Sequence, residues 1–467
     1  MAEIESKVEI NGSEIVEHSA AGEGETKTTE NLDENGDASL ERPEESGFPP
    51  DLKEQAKKAL LALRAKVEEA ILENKLFGEE HKREESTEEK PAVDENKDEK
   101  SETDVVEENR ERSQTEKSNG EDDKQTNVEL WGVPLLPSKG DKRTDIVLLK
   151  FLRAREFGVK EAFEMMKKTL KWRKENNIDF LLDEKLDDEF CSAAFQEGRD
   201  REGRPVCYNI CGILANEEIM GNEEKREKFL RWRIQLMEKA IRSMDFEPGP
   251  NNGTPSMVQI IDLKNTPLPS RKDIRVGLRK MVELFQENYP EFVSRKIFIN
   301  VPFWYYAFSA LFAPSLSPRT KSKFVYARSA RVTDSLLRYI APEELPVQYG
   351  GLRKEGDPDF TPEDASKEVV INTGASEAIE ILAEEVGRAI TWQVTVIGWD
   401  VNYKEEFVPT DDRSYAVIVR RGKKMGFQEI PVRNSFVIRE PGKIIITVEN
   451  GSFKKKRVLY RYKISKV

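Results

Sequence analysis

Histidine is nearly absent from this chain: there are two in 467 residues, His18 and His81, both within the first 130. The remainder therefore has no imidazole for a Ser/His/Asp or Cys/His nucleophile pair, and none for a histidine-ligated zinc. Cysteine is as scarce. Cys191, Cys207 and Cys211 are odd in number and form no CxxC pair, which argues against a disulfide framework or a four-thiolate metal site and favours small buried residues in a reducing compartment. Neither GxGxxG nor GxxxxGK[ST] occurs, so the phosphate loops of dinucleotide and P-loop folds are missing. The opening MAEIESKVEI lacks the apolar stretch of a signal peptide, which points to the cytoplasm. One uncharged run, the 22 residues Ile297 to Pro318, has the length of a membrane span, but Asn300, Pro302, Pro314 and three serines interrupt it. No enzyme, metal or cofactor is expected from these absences.

What the chain has is charge, unevenly placed. Residues 1–130 hold 39 acidic and 18 basic residues, net −21, with Phe48 and Phe77 as their only aromatics, whereas the rest is net +8. So charged a segment buries too little apolar area to offset its chain entropy, and a mostly disordered arm is expected over 1–130. One helix is expected inside it, over 51–76, where Leu52, Ala56, Leu60, Leu63, Val67, Ala70 and Ile71 recur at helical spacing behind a candidate N-cap at Asp51. Such a helix docks on a partner or on its own protein.

Ordered sequence begins near Trp131. Two short helices broken at Gly158 make a helical unit over 131–185. From 186 to 352 helices alternate with short apolar runs such as MVQIIDL (Met257–Leu263) and Lys296–Val301, the pattern of an α/β layer with a largely parallel sheet. Residues 353–366, RKEGDPDFTPEDAS, read as a linker. One more helical stretch is expected after it. The period then changes to two, with turn pairs Pro441-Gly442 and Asn450-Gly451, so 367–467 is expected to be largely an antiparallel β-sandwich. The whole is a multidomain chain: acidic arm, helical unit, α/β module, β-sandwich.

The run Ile297–Pro318 reads as a strand, a break at Pro302, and a helix aromatic nearly all round. Its plain reading is a helix buried on both sides. Its sharper reading is a helix that covers an apolar cavity and meets a bilayer on its outer face, with Trp304, Tyr305, Phe308 and Phe312 as gate residues. Basic clusters supply a possible membrane-surface contribution: Arg271, Lys272, Arg275, Arg279 and Lys280, then Arg420, Arg421, Lys423 and Lys424, then Lys454, Lys455, Lys456 and Arg457. They lack the aromatic interleaving of single-strand nucleic-acid platforms, so no nucleic acid is expected as partner. The acidic arm is of the right sign to fold over these clusters and compete with anionic lipid.

LLKFLRAREF with KWR, GRDREGRPV, IIDLKN, the long run from ENYPEF to PRTKSK, and LPVQYGGL resemble, in order, the CRAL-TRIO lipid-transfer family across Asp145–Leu352. The β region after it resembles a GOLD domain, and the three-part chain resembles the plant patellins. The resemblance implies a sheet that floors a hydrophobic pocket, a mobile gating helix, a bound phospholipid or other hydrophobic ligand, and phosphoinositide binding. It also implies a peripheral role in membrane trafficking and cell-plate formation, at the plasma membrane or cell plate, without catalysis. The alternative is a membrane-addressed scaffold that recruits trafficking proteins through the GOLD-like domain without net lipid transfer. By the same resemblance Thr320 and Lys323 meet an inositol phosphate, Glu291 the inositol ring and Arg155 a phosphate. Two positions depart from the phosphatidylinositol-binding pattern. Glu156 follows RAR and Phe292 follows YPE where such members carry basic residues, and both changes remove positive charge from the site.

Overall fold

The computed structural model describes residues 49–77, 127–186, 188–214, 219, 221–249, 255–266, 272–302, 305, 318–426 and 431–466. Most of the acidic arm, together with Arg271, Trp304, Phe308 and Phe312, lies outside the described residues.

Helix α1 (Glu54–Leu72) buries Ala56, Ala59, Leu60, Leu63, Val67, Ala70 and Ile71 along one stripe. Its N-cap is Lys53, two residues later than the Asp51 expected from sequence, and no side-chain bond caps it. The stripe packs on α2 (Arg143–Ala154) and α3 (Val159–Glu175) in one continuous core. So α1 is part of the helical unit, docked on its own protein, although charge alone assigns it to the arm. Helix α2 is buried all round, from Thr144 to Arg153 apart from Asp145, because α1 covers one side and the sheet module the other. A two-rung hairpin, β1 (Glu129–Leu130) and β2 (Val133–Pro134), turns at Trp131 and Gly132, both at positive φ.

The module's sheet has the order β3-β4-β5-β6-β7. Strands β3 (Ala194–Arg199) and β4 (Pro205–Ile210) form an antiparallel hairpin, while β4, β5 (Met257–Asp262), β6 (Val293–Ile299) and β7 (Phe324–Tyr326) are parallel. The parallel steps need crossovers. Helix α4 (Glu223–Arg242), capped by the Asn222 side chain, makes the first, and α5 (Lys272–Asn288) the second. Helix α6 (Val332–Leu337) closes the other face. In the QYGG turn after it, Gly350 adopts φ +86°, and a Cβ on Gly351 would collide with the Leu345 carbonyl, so both positions require glycine.

Two four-stranded antiparallel sheets make the sandwich. One has the order β13 (Val432–Val437), β10 (Arg388–Val396), β15 (Lys456–Lys466), β8 (Lys367–Ile371); the other runs β12 (Val417–Met425), β11 (Val401–Pro409), β14 (Gly442–Glu449), β9 (Ser376–Ala383). The helical stretch expected after the linker is absent: those residues are β8 and β9. In β9 the buried residues are Ile379, Ile381 and Ala383, a period of two. Pairing with β14 along eight rungs overrides the helix preference of SEAIEILA.

Module and sandwich share a core. Leu459 of β15 is buried among Tyr349, Leu352 and Ile340 of the module. Beside it Arg461 donates to the Leu352 carbonyl at 2.8 Å and the Thr361 carbonyl at 3.0 Å. The linker is pinned too, with Asp357 bound by Arg433, and Phe360 buried under the guanidinium groups of Arg433 and Arg461.

Candidate lipid site

Alternation along β4 to β7 gives the sheet two unlike faces. On one, Val206, Tyr208, Val258, Ile260, Ile297 and Ile299 are at most 1% exposed, sealed by α6, Tyr349 and Leu459. The other carries the row Cys207, Gln259, Lys296, Phe324 and the row Asn209, Ile261, Phe298, Tyr326, each set in register across four strands. Gln259, Ile261 and Lys296 are only half-buried although they lie on the central strands β5 and β6, and so are Phe324 and Tyr326 on the edge strand β7. Above them Tyr305, just past Pro302, packs its ring on Phe298 at 5.6 Å and Tyr326 at 6.4 Å. Burial pushes its hydroxyl pKa up. Of the four expected gate residues Tyr305 is the one described, and it lies over this face.

At the edge of the face stands a charged cluster. Glu291 takes φ +56° in the turn entering β6 and accepts from Lys323 Nζ at 2.8 Å and from Arg319 Nε and Nη2 at 3.2 and 3.1 Å. Burial alone would raise its carboxyl pKa, but these two cations hold it down at about 2. Lys150 fixes the turn from behind. Wholly buried in α2, it donates to the Pro255 carbonyl and, at 3.0 Å, to the Glu291 carbonyl, with its ammonium 3.9 Å over the Phe292 ring. Burial drives its pKa well down. Phe292 is itself fully buried, edge-on to Trp131 at 4.6 Å, so it belongs to the helical unit's core.

The structure thus brings Glu291 and Lys323 together and adds Arg319 and Lys150, which sequence reasoning passed over. A lysine inside the apolar run LLKFL was the available signal for Lys150. Arg155 is apart from them: it caps α2 on the exposed side and bonds the neighbouring Ala154 carbonyl. Thr320 lies in the helical turn Pro318–Lys321, where its side chain is not described.

The basic clusters divide. Arg279 and Lys280 are exposed on α5, and Lys272 and Arg275 lie in its first turns, with side chains not described. Arg421, Lys423, Lys454 and Lys455 are exposed on the sandwich, Lys424 is paired with Asp400 at 2.8 Å, and Arg420 leans over Tyr403. The run 454–457 is not one patch. Lys456 is buried against the Gly398 carbonyl, and Arg457 bridges Glu368 at 2.6 Å and Asp334 of the module at 3.2 Å, so both serve the fold. Fully exposed Phe453 stands next to Lys454 and Lys455.

A separate cleft of about 1430 Å³ opens along edge strand β3, between α4 and the linker, lined by Glu197, Trp232, Glu344, Val347 and Arg353 among others. It is not the apolar cavity expected beneath the aromatic run Ile297–Pro318, since none of its lining residues belongs to that run or to β5, β6 or β7. Among the described residues no helix is long and apolar enough to cross a membrane, and no group of three or more His, Cys, Asp or Glu is placed to hold a metal ion.

Three family profiles match in order: the CRAL/TRIO N-terminal domain over 59–168, the CRAL/TRIO domain over 190–351, and the Patellin-1-like C-terminal GOLD domain over 372–456. Patellin-4 of Arabidopsis thaliana is 57% identical over 336 residues, 72% of this chain and 61% of that protein. Patellin-3 of the same plant is 45% identical over 72% of this chain and 69% of its own length. A phosphatidylinositol transfer protein, SFH5 of Kluyveromyces lactis, is 32% identical over 48% of this chain and 74% of its own. The alignment with Patellin-4 thus spans about three-fifths of that relative. With the helical unit, the two-faced sheet and the sandwich all in the matched order, this chain belongs to the patellin family.

Proposed function

We propose that the protein carries a phospholipid in a hollow over the open face of its five-stranded sheet and moves it between membranes. The observation that carries this reading is the inequality of the two faces: one is closed to water at Val206, Tyr208, Val258, Ile260, Ile297 and Ile299, while the other stays half-accessible at Gln259, Ile261 and Lys296 on the central strands β5 and β6 and at Phe324 and Tyr326 on the edge strand β7. Taking a two-chain lipid into water exposes on the order of 30 methylenes at about 0.8 kcal/mol each, so carriage requires an apolar replacement for the bilayer. Phe298, Phe324, Tyr326, Tyr305 and Ile261 offer one. The name of the relative SFH5 agrees with the reading, and Glu291 with its two cations is the proposed place for a phosphoinositide headgroup.

The protein acts in this reading without catalysis, peripherally at anionic membranes, in trafficking and cell-plate formation. Arg279, Lys280, Arg421, Lys423, Lys454 and Lys455 are the exposed cations offered to the leaflet. Mass spectrometry of lipid co-purifying with the protein, followed by transfer of labelled phospholipid between vesicle populations, tests it. The expected result is one bound lipid per chain and transfer well above the spontaneous rate; membrane binding without transfer would leave the scaffold reading, which the cleft beside β3 favours as a place for a partner segment.

A further inference from the structure

Lys296 stands alone on the open face. Strand alternation places it with Phe298, opposite Ile297 and Ile299, which are sealed, and opposite Arg295, which stacks on Tyr339 at 4.4 Å. Its flanking rungs are Gln259 and Phe324. Among the described residues no hydrogen-bond acceptor or carboxylate meets its ammonium, and the charge that acts on it is that of Lys323, another cation. Three acids of the module are engaged elsewhere: Glu291 with Arg319 and Lys323, Glu238 with Arg173 and Tyr289, and Asp262 with Asn300 and Tyr349. The segment 303–317, which follows β6, contains no charged residue and brings no counter-charge. A half-buried ammonium with no partner is costly to the fold, so its partner is to be sought in what the hollow takes in.

We propose that Lys296 is the anion-binding residue of the hollow: its ammonium receives the oxyanion of an acyl lipid drawn over the sheet. This rests on the lipid-carriage reading and deepens it. Lys323 is already neutralised by Glu291, and Phe292 is locked into the helical unit's core, so the positive charge missing after YPE is supplied from the floor instead. Burial lowers the lysine's pKa, which an incoming oxyanion would reverse. Two ligand types share this chemistry, a phosphodiester and a fatty-acid carboxylate.

The full chain, stripped of lipid, is equilibrated with phosphatidylcholine vesicles carrying labelled phosphatidylinositol, oleic acid or dioleoylglycerol, and the guest retained by the re-isolated protein is measured. Lys296→Met is expected to lose affinity for an anionic guest by about tenfold or more, as for a charge-assisted bond, while dioleoylglycerol loads as before and Lys296→Arg restores the anion. Loss in the phosphatidylinositol arm identifies a phosphodiester; loss in the oleic acid arm identifies a carboxylate. Wild-type loading of both anions by Lys296→Met overturns the proposal, as does Lys296→Arg failing like Lys296→Met while still loading dioleoylglycerol. A wild-type chain that retains none of the three guests brings down the carriage reading itself, and Lys296 with it.

Discussion

The Glu291 carboxylate is the residue on which local chemistry turns. Its pKa of about 2 lies below the ordinary 4.5, so its contribution to stability is complete above pH 4.5 and fades as pH falls towards 2. By linkage the effect is roughly 3 kcal/mol. Urea unfolding of wild type and Glu291→Gln should therefore differ most above pH 5, and the gap should narrow steadily as pH falls to 3; a gap independent of pH would mean that Lys323 and Arg319 do not hold the charge. Sequence named Glu291 and Lys323 because they lie in a long recognisable run. It could not name their support, because Lys150 reaches Glu291 across 141 positions and no local pattern encodes that distance. Lys296 was hardly legible: it follows Ser294 and Arg295 in the polar first half of β6, and only its parity with Phe298 sets it on the open face. What made it meaningful, the lack of a carboxylate partner among the described residues, is a three-dimensional fact.

Among the elements, α1 shows how charge statistics and packing part company. The flanking sequence is acidic, yet the helix presents Leu60, Leu63, Val67 and Ile71 to α2 and α3, and Arg64 ties it to Asp145 at 2.7 Å. Leu63 is fully buried, so Leu63→Ala should destabilise the helical unit by about 2–5 kcal/mol. The midpoint of chemical denaturation checks this, and a change below about 0.5 kcal/mol would mean that α1 is not a fixed part of the unit. The period of hydrophobic residues was enough to find α1, α2, α3 and the central strands β5 and β6, but not the edge strands β3 and β7. It failed at β9, where SEAIEILA has a helix former at most positions and only the partner strand β14 decides the outcome. Basic runs failed differently. Sequence counts Lys454 to Arg457 as one cluster, but Lys454 and Lys455 lie in the turn before β15 and reach solvent, whereas Lys456 and Arg457 belong to the strand and are held by Gly398, Glu368 and Asp334.

At the scale of the whole molecule, module and sandwich are joined by more than a tether. Arg461 lies 3% exposed, holding two carbonyls from the module and linker and, at 3.0 Å, Gln393 of the sandwich. Calorimetry should record module and sandwich melting together, whereas Arg461→Ala, which strands those acceptors, should split the transition or lower its midpoint by several degrees. Two separate transitions in the wild type would contradict the shared core. The succession of parts was readable from periodicity and linker composition, but the docking was not, since Leu459 looks like any other residue of a sandwich strand until Tyr349 and Leu352 are seen around it. One practical outcome concerns anyone who would divide this protein. A fragment ending at residue 352 would keep every strand of the five-stranded sheet yet lose the leucine that plugs its far side, leaving Ile340, Tyr349 and Leu352 as a raw apolar scar. Such a fragment is expected to clump or to be stuck to carriers in the cell, and its poor behaviour would say nothing about lipid.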